Sequence, residues 1–535
     1  MKLNVESMQD VFTWKSKGIA LPEFDRSKML QETAKNPSWL HFGPGNIFRA
    51  FIASLQQNLL NQGAVNTGII VAATNTREII EKIYQPHDNL NLLVTLYPDQ
   101  TTRKTVIGSI AESLTCRTEE KADWERLQEI LCRPSLQIMS FTITEKGYKI
   151  KAKDDTYLPD IAADLLAGPK APQSFLARVV SLLYERYIAG ACPLTLLSLD
   201  NCSQNGLVLK KAVQEIAQNW EQTGLVKAGF MEYLRQQVAY PCSMIDKITP
   251  RPSEKIQKEL LQDGFTDMEF ISSQRGGCYA PFVNAEKTEY LVVEDTFLNG
   301  RPPLEKAGVI FTNRQTVDCV EKMKVCTCLN PLHTALAVFG CLLGYTLIAD
   351  EMKNPLLYKL VENIGYQEGM KVVADPGVLN PQDFLRECLT ERFPNPAIPD
   401  TPQRIACDTS QKLGIRFGET IKAYQKSPDL DVKNLTYIPL TIAGWCRYLL
   451  GLDDSGNSFT VSPDPLLEEL QGHLADVHFG TNMDVHAALK TILSDPTIFG
   501  LDLYKIGLGD RIEVYFKEMI TGPEAVQKTL RKYLG

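Results

Sequence analysis

At 535 residues the chain is too long for a single hydrophobic core, so two or more domains are expected. Hydrophobic residues make up 44% and charged residues 22%, ordinary for a soluble globular protein, and a formal net charge of −8 without a dense Lys/Arg cluster argues against a nucleic-acid surface. The N-terminal MKLNVESMQDVFTWK lacks the apolar centre of a signal peptide, and the longest apolar run, 334–344, is broken by Gly340 and too short for a bilayer.

Thirteen cysteines and six histidines are scattered without the paired spacing of a zinc site. These features predict reduced thiols in a cytoplasmic protein, no metal and no membrane association.

In chain order, SWLHFGPGNIFRAF (38–51) reads as a strand, a glycine turn and a helix start. IASLQQNLLNQG continues that helix, with Gly63 as its cap, and TGIIVAAT (67–74) reads as a buried strand. Together they form a βαβ unit, the opening of a doubly wound sheet. Further strands are expected at 90–97, 136–144 and 194–201, with helices at 122–131 and 207–220. This alternation predicts a mainly parallel sheet covered on both faces. NGRPPLEKAG (299–308) is linker-like, and beyond about residue 316 the periodic segments are helical. The expected organisation is an α/β Rossmann-type domain over 1–315 and an all-α domain over 316–535.

Gly43-Pro44-Gly45 follows a strand and precedes a helix, where glycines let a phosphate approach free N–H groups and the positive end of the helix dipole. The third glycine of the full dinucleotide fingerprint is replaced by Phe48. The second strand should end at the adenosine ribose, and Ala73-Thr74-Asn75-Thr76-Arg77 supplies no acid there. Arg77 suits either a 2′-phosphate or solvent, which leaves NAD and NADP both open.

Two other strand ends are polar: Thr142–Tyr148, which includes Glu145, and Ser198-Leu199-Asp200-Asn201. Asp200 and Asn201 could face a ligand or cap the next helix. In EKMKVCTCLNPLHTALAVFGCLLGY (321–345), Lys324, Asn330 and His333 stand at the mouth of an apolar run. Asn330 and His333 are three apart and share a helix face. A lysine beside such a run is a candidate general base, because burial disfavours its ammonium form. Arg404 and Lys412, eight apart, would project at similar angles from one helix and could clamp a carboxylate or phosphate, or form a solvated basic face.

Five segments, GPGNIFRAF (43–51), TITEKGY (142–148), SLDNCSQNG (198–206), SMIDKITP (243–250) and KVCTCLNPLH (324–333), occur in an order that resembles the mannitol dehydrogenase family of polyol-specific long-chain dehydrogenases. The resemblance implies a Rossmann-type domain, a C-terminal domain like that of 6-phosphogluconate dehydrogenase, and an active site between the two. It also implies NAD(H), or NADP(H), and hydride transfer at a secondary alcohol or ketone of a sugar acid or polyol. A monomer or small homo-oligomer is expected.

By that analogy Lys324 is the acid/base, Asn201 and Asn330 polarise the carbonyl, and His333 orients substrate hydroxyls. Asp246 lies near the lysine, and Arg404 and Lys412 hold the substrate's far end. Gly43, Gly45, Asn46, Ile47, Arg49, Thr74, Glu145 and Asn201 meet the cofactor. The longer segments most resemble the family's fructuronate reductases, which interconvert D-fructuronate and D-mannonate. Mannitol 2-dehydrogenase and tagaturonate reductase are the alternatives within the family, and a nucleotide-binding homologue that kept the fold and lost catalysis is an alternative of a different class.

Two departures stand out. Ile47-Phe48-Arg49 replaces the family's Phe-His-Arg, and five residues rather than four separate Lys324 from Asn330. On a regular helix the extra residue would rotate the lysine by about 100°. A π-bulge could absorb it, helped by Pro331, and Lys322 is the other candidate lysine.

Overall fold

A computed structural model of the chain describes residues 1–273 and 277–535. It divides into two compact units, Met1–Tyr97 with Thr101–Asp318, and Pro98–Gln100 with Cys319–Gly535.

The first unit is built on six parallel strands: β1 (Trp39–Phe42), β2 (Ile69–Ala73), β3 (Ile110–Thr115), β4 (Ile138–Phe141), β5 (Leu194–Ser198) and β6 (Val238–Ala239). Their order is β3-β2-β1-β4-β5-β6. Winding therefore reverses between β1 and β4, and the crevice at such a reversal is where doubly wound sheets bind ligands. β1, β2, β4 and β5 are buried throughout, which is why WLHF, IIVAA, IMSF and LTLLS show no polar alternation.

One face, including Leu40, Phe42, Ile70, Met139 and Phe141, packs under helices α2 (Lys121–Cys132), α3 (Phe175–Ile188) and α4 (Asn205–Gln222). The other, including Trp39, Ile69, Val71 and Ile138, packs under α1 (Ala53–Asn61). Gly63, at φ 63°, ends α1, with Ala64 N–H bonded to Leu59 O at 2.9 Å.

Residues 90–97 do form a strand, Asn91–Leu96, but outside this sheet. It pairs antiparallel with Thr102–Ile107 and parallel with Phe282–Glu286. Strand periodicity reveals a buried face and not a partner. The third strand of the main sheet is β3, IAESLT, an edge strand with three partly exposed residues and therefore no apolar run to mark it.

The second unit is helical. Its centre is α5 (Asn330–Leu342), buried from Thr334 onward, against α6 (Tyr437–Tyr448), which packs on α7 (Gly509–Met519). Gly444 allows the close approach, since a Cβ there would lie 2.6 Å from Phe339 Cζ. The Glu368 carboxylate caps α6 by accepting from Tyr437 N and Ile438 N at 2.8 Å each. The helical stretch Arg314–Leu342 has the length and hydropathy of a membrane span, but 72% of its apolar window is buried, as in a core helix.

Candidate active site

At the end of β1 the backbone turns through Gly43, at φ 113°. A Cβ there would lie 2.1 Å from Thr142 O, so any side chain would collide with the end of β4. Beneath the turn runs a buried chain of hydrogen bonds. Trp39 Nε1 donates to Ser140 Oγ (2.7 Å), which meets His41 Nδ1 (2.7 Å). His41 Nε2 meets Thr142 Oγ1 (2.9 Å), and that hydroxyl donates to Gly43 O (3.0 Å). Every donor finds an acceptor only if His41 carries its proton on Nε2 and Ser140 donates to Nδ1. Burial pushes the His41 pKa down to about 3, so the ring is neutral. Tyr84 OH holds the next carbonyl, Pro44 O, at 2.9 Å.

The helix beyond the turn opens at Asn46 and Ile47, both half-buried, and passes through a π turn, Phe48–Ile52, into α1. Arg49 corrects an expectation of direct cofactor contact. It is 0% exposed, with its donors on Ala280 O (2.8 Å), Asn91 Oδ1 (3.2 Å) and Asn46 Oδ1 (3.0 Å), and burial lowers its pKa. It braces Asn46 from below and offers no exposed donor. Phe48, at the missing glycine's position, stacks on His41 at 4.3 Å.

Past β2, Thr74 O accepts from Arg178 at 2.9 Å. Arg77, its side chain 32% exposed, is held by Glu120 (2.8 Å), Glu81 (3.0 Å) and Asp123 (3.7 Å), which favours the surface-arginine reading over the phosphate ligand.

Asp200 bridges strand ends rather than capping a helix. It accepts from Ile143 N (2.9 Å), Thr144 N (2.8 Å) and Tyr148 OH (2.5 Å), while α4 begins after Gln204 without a side-chain cap. Asn201 beside it and Glu145 opposite are both exposed. Asn205, 0% exposed, ties Asp200 O (2.9 Å) to Ser243 O (3.0 Å). It thereby locates the strand Ser243–Asp246, whose Asp246 is 6% exposed.

In the second unit the extra residue between Lys324 and Asn330 is taken up by a π turn, Met323–Cys328, closed by Leu329 N–H to Lys324 O at 3.1 Å. Each π turn holds one residue more than an α turn, so α5 resumes at Asn330 in the usual register. Pro331, in the first turn of α5, needs no N–H partner there. Lys324 is 4% exposed, whereas Lys322 lies in solvent.

Asn330 and His333 share the start of α5. Among the described residues the Asn330 amide makes no side-chain hydrogen bond. His333 Nε2 lies 3.3 Å from Asp400 Oδ2, and its ring packs against Phe393 at 5.2 Å. Burial lowers the His333 pKa against the opposing pull of Asp400. Burial raises that of Asp400, but His333 and Arg404 outweigh it and hold the carboxyl below its usual value.

Arg404 and Lys412 do not lie on one helix, which is a further correction. The helix Pro402–Ile405 ends, and Asp408 at φ 51° turns the chain so that its N–H reaches Pro463 O (2.9 Å). Arg404 is 64% exposed with its guanidinium on Asp400. Lys412 Nζ donates to Cys407 O at 2.5 Å.

The family model of the mannitol dehydrogenase Rossmann domain matches residues 37–306, and that of the mannitol dehydrogenase C-terminal domain matches 316–518. The chain belongs to the mannitol dehydrogenase family. It is 52% identical to the D-mannonate oxidoreductase of Thermotoga maritima, over 100% of this chain and 99% of that one. Its identity to the D-mannonate oxidoreductase of Escherichia coli K12 is 30%, covering 89% and 92%. Among solved structures, Pseudomonas fluorescens mannitol 2-dehydrogenase, in ternary complex with NAD and D-mannitol, superposes with a TM-score of 0.73 at 28% identity, covering 100% and 99%.

The turn of this mannitol dehydrogenase family member fits a dinucleotide. Gly43 is enforced by the approach of β4, and nothing lies within 4 Å of a Cβ at Gly45, which leaves the helix N-terminus open to a pyrophosphate. Sequence reasoning missed His41 beneath the turn, Asp400 beside His333, and Arg416, discussed below. Asp400 and Arg416 lie 67 and 83 positions beyond His333, so no local spacing connects them to α5.

Proposed function

We propose that this protein is an NAD-dependent oxidoreductase that interconverts D-fructuronate and D-mannonate. The 52% identity to the T. maritima D-mannonate oxidoreductase along both chains carries the reading. Gly43, Gly45, Asn46, Ile47 and Thr74 would hold the dinucleotide, in a Rossmann-type domain over 1–315. Residues 316–535 would hold the substrate. Arg77, committed to three carboxylates, favours NAD over a 2′-phosphorylated cofactor. When bound, NAD(H) accepts or supplies the hydride.

The chain's own residues manage the proton and the oxygen. Lys324 takes the proton of the substrate hydroxyl in one direction and returns it to the ketone oxygen in the other. Asn330, whose amide makes no side-chain hydrogen bond among the described residues, donates to that oxygen as negative charge develops. His333, fixed by Asp400, orients a neighbouring hydroxyl. Asn201 as a second donor to the oxygen, Asp246 near the lysine, and Glu145 at the cofactor belong to the same proposal.

A panel of hexuronates, hexonates, hexitols and their phosphates, assayed with both nicotinamide cofactors, tests it. D-mannonate and D-fructuronate with NAD(H) should give the highest kcat/KM. A tenfold preference for mannitol over mannonate would replace this reading with a mannitol 2-dehydrogenase.

A further inference from the structure

Arg416, half-buried, stands apart from the fully buried Arg186 and Arg447. Arg186 is ringed by five backbone carbonyls, those of Leu131, Arg133, Leu136, Cys192 and Pro193, and Arg447 by those of Leu452, Asp453 and Met519. Such saturation makes burial of a guanidinium tolerable. Arg416 has one hydrogen-bond partner among the described residues, the Thr334 hydroxyl, reached by Nη1 at 2.5 Å. No carboxylate among them pairs with it. Burial alone draws its pKa down to about 10, with no acid to restore it.

The position is specific. Arg416 lies in a π turn, Gly414–Gly418, that packs against both α5 and the π turn bearing Lys324. Thr420 Oγ1 fastens the following helix to that lysine's turn through Cys326 O at 3.1 Å. Thr334, which holds the guanidinium, follows His333 directly and donates its own proton to Asn330 O at 2.9 Å. Arg416 is close enough to His333 and Lys412 to oppose a positive charge on either. Asp408 and Asp464 act on Lys412, and Asp400 is taken up by His333 and Arg404.

We propose that Arg416, with Lys412 beside it, binds the carboxylate of the sugar acid, and so sets the preference for hexuronates and hexonates over neutral polyols. This rests on the hexuronate reading above and assigns to Arg416 the anchoring role expected of Arg404, which Asp400 already occupies. A guanidinium presents five donors in a planar fork suited to a carboxylate, and four remain after the bond to Thr334.

The test compares D-mannonate with its uncharged isostere D-mannonamide at saturating NAD, reading the amide as a Ki where it is not turned over. The wild type should favour the acid by about 100-fold. In Arg416→Gln the acid's KM should rise about 100-fold with kcat changed less than about 5-fold, so that the acid/amide preference collapses. In Arg416→Lys, which keeps the charge and loses the fork, the loss should be about 10-fold.

Should Arg416→Gln fail to fold, Thr334→Val removes the hydroxyl that holds the guanidinium. It should raise the acid's KM about 10-fold while leaving the amide nearly unchanged. Equal losses for acid and amide, or an unchanged ratio in a variant that still oxidises mannonate, would overturn the role of Arg416 alone. A wild type that turns over no hexonate would sink this inference and the hexuronate reading together.

Discussion

The glycine turn of the first unit and the start of α5 in the second handle polar groups in opposite ways. Under the turn, Trp39, Ser140, His41 and Thr142 pass hydrogen bonds in sequence to Gly43 O, and the chain is complete without a ligand. At α5, the Asn330 amide and most of the Arg416 donors have no acceptor among the described residues. Completed networks fix backbone shape, whereas uncommitted donors beside a buried lysine suit a ligand whose charge changes during reaction. The network under the turn therefore reads as scaffold for the proposed cofactor turn, and the start of α5 as the proposed substrate surface.

The largest expected break in this contrast is Lys324→Ala. Removing a general acid–base group should lower kcat by about 10²–10⁴, with NADH binding, read by fluorescence titration, left within about twofold. Turnover near wild type would refute the assignment. Asn330→Ala should cost about 10²–10³ in kcat, and a loss of only about tenfold would contradict contact with the developing oxyanion.

The sheet was legible because strands buried on both faces write continuous apolar runs, as IIVAA and LTLLS do, and because Gly43 is forced where two strand ends converge. β3 was not legible, since an edge strand carries polar residues on its open side. The partner of Asn91–Leu96 was hidden for another reason, pairing being a long-range property. In the proposed site, Lys324, Asn330 and His333 stood out as polar residues against an apolar run, and one surplus residue was enough to anticipate the π turn Met323–Cys328. Asp400 and Arg416 were not, because they lie 67 and 83 positions beyond His333 and the turn at Asp408 interrupts the helical spacing between Arg404 and Lys412. Arg49 was misread because an arginine after a glycine turn can serve the fold from beneath as readily as a phosphate from above.

A smaller effect separates two buried glutamates of the second unit. Glu368 accepts from three backbone N–H groups, those of Thr436, Tyr437 and Ile438, and burial nevertheless lifts its pKa to about 7. Glu351, 0% exposed and wedged against Gly340, has neither carboxyl oxygen hydrogen-bonded among the described residues, and burial followed by the Asp400 charge lifts it to about 10. A pKa raised above its unfolded value contributes stability that is complete below about pH 4.5 and is lost as pH rises towards 10. Glu351→Gln carries no charge to bury. It should exceed the wild type by about 3 kcal/mol at pH 7 in denaturant unfolding, with the gap closing near pH 4.5. A gap independent of pH would show that Glu351 is ionised in the folded protein.

The gentlest test addresses the scaffold itself. His41 is neutral in the fold, with a pKa near 3 against an ordinary 6.5. Below pH 6.5 the unfolded chain therefore binds a proton that the folded one refuses, and stability falls by about 1.4 kcal/mol per pH unit down to about pH 3. His41→Gln abolishes that titration, so its stability should decline less steeply with acid than the wild type's, after an initial loss at pH 7 from the broken bonds to Ser140 and Thr142. Because the turn it supports is saturated scaffold, the same variant should weaken NADH binding several-fold and leave the mannonate/mannonamide ratio unaltered. A change in that ratio with no change in cofactor affinity would mean that the two regions are not divided in labour as their hydrogen bonds imply.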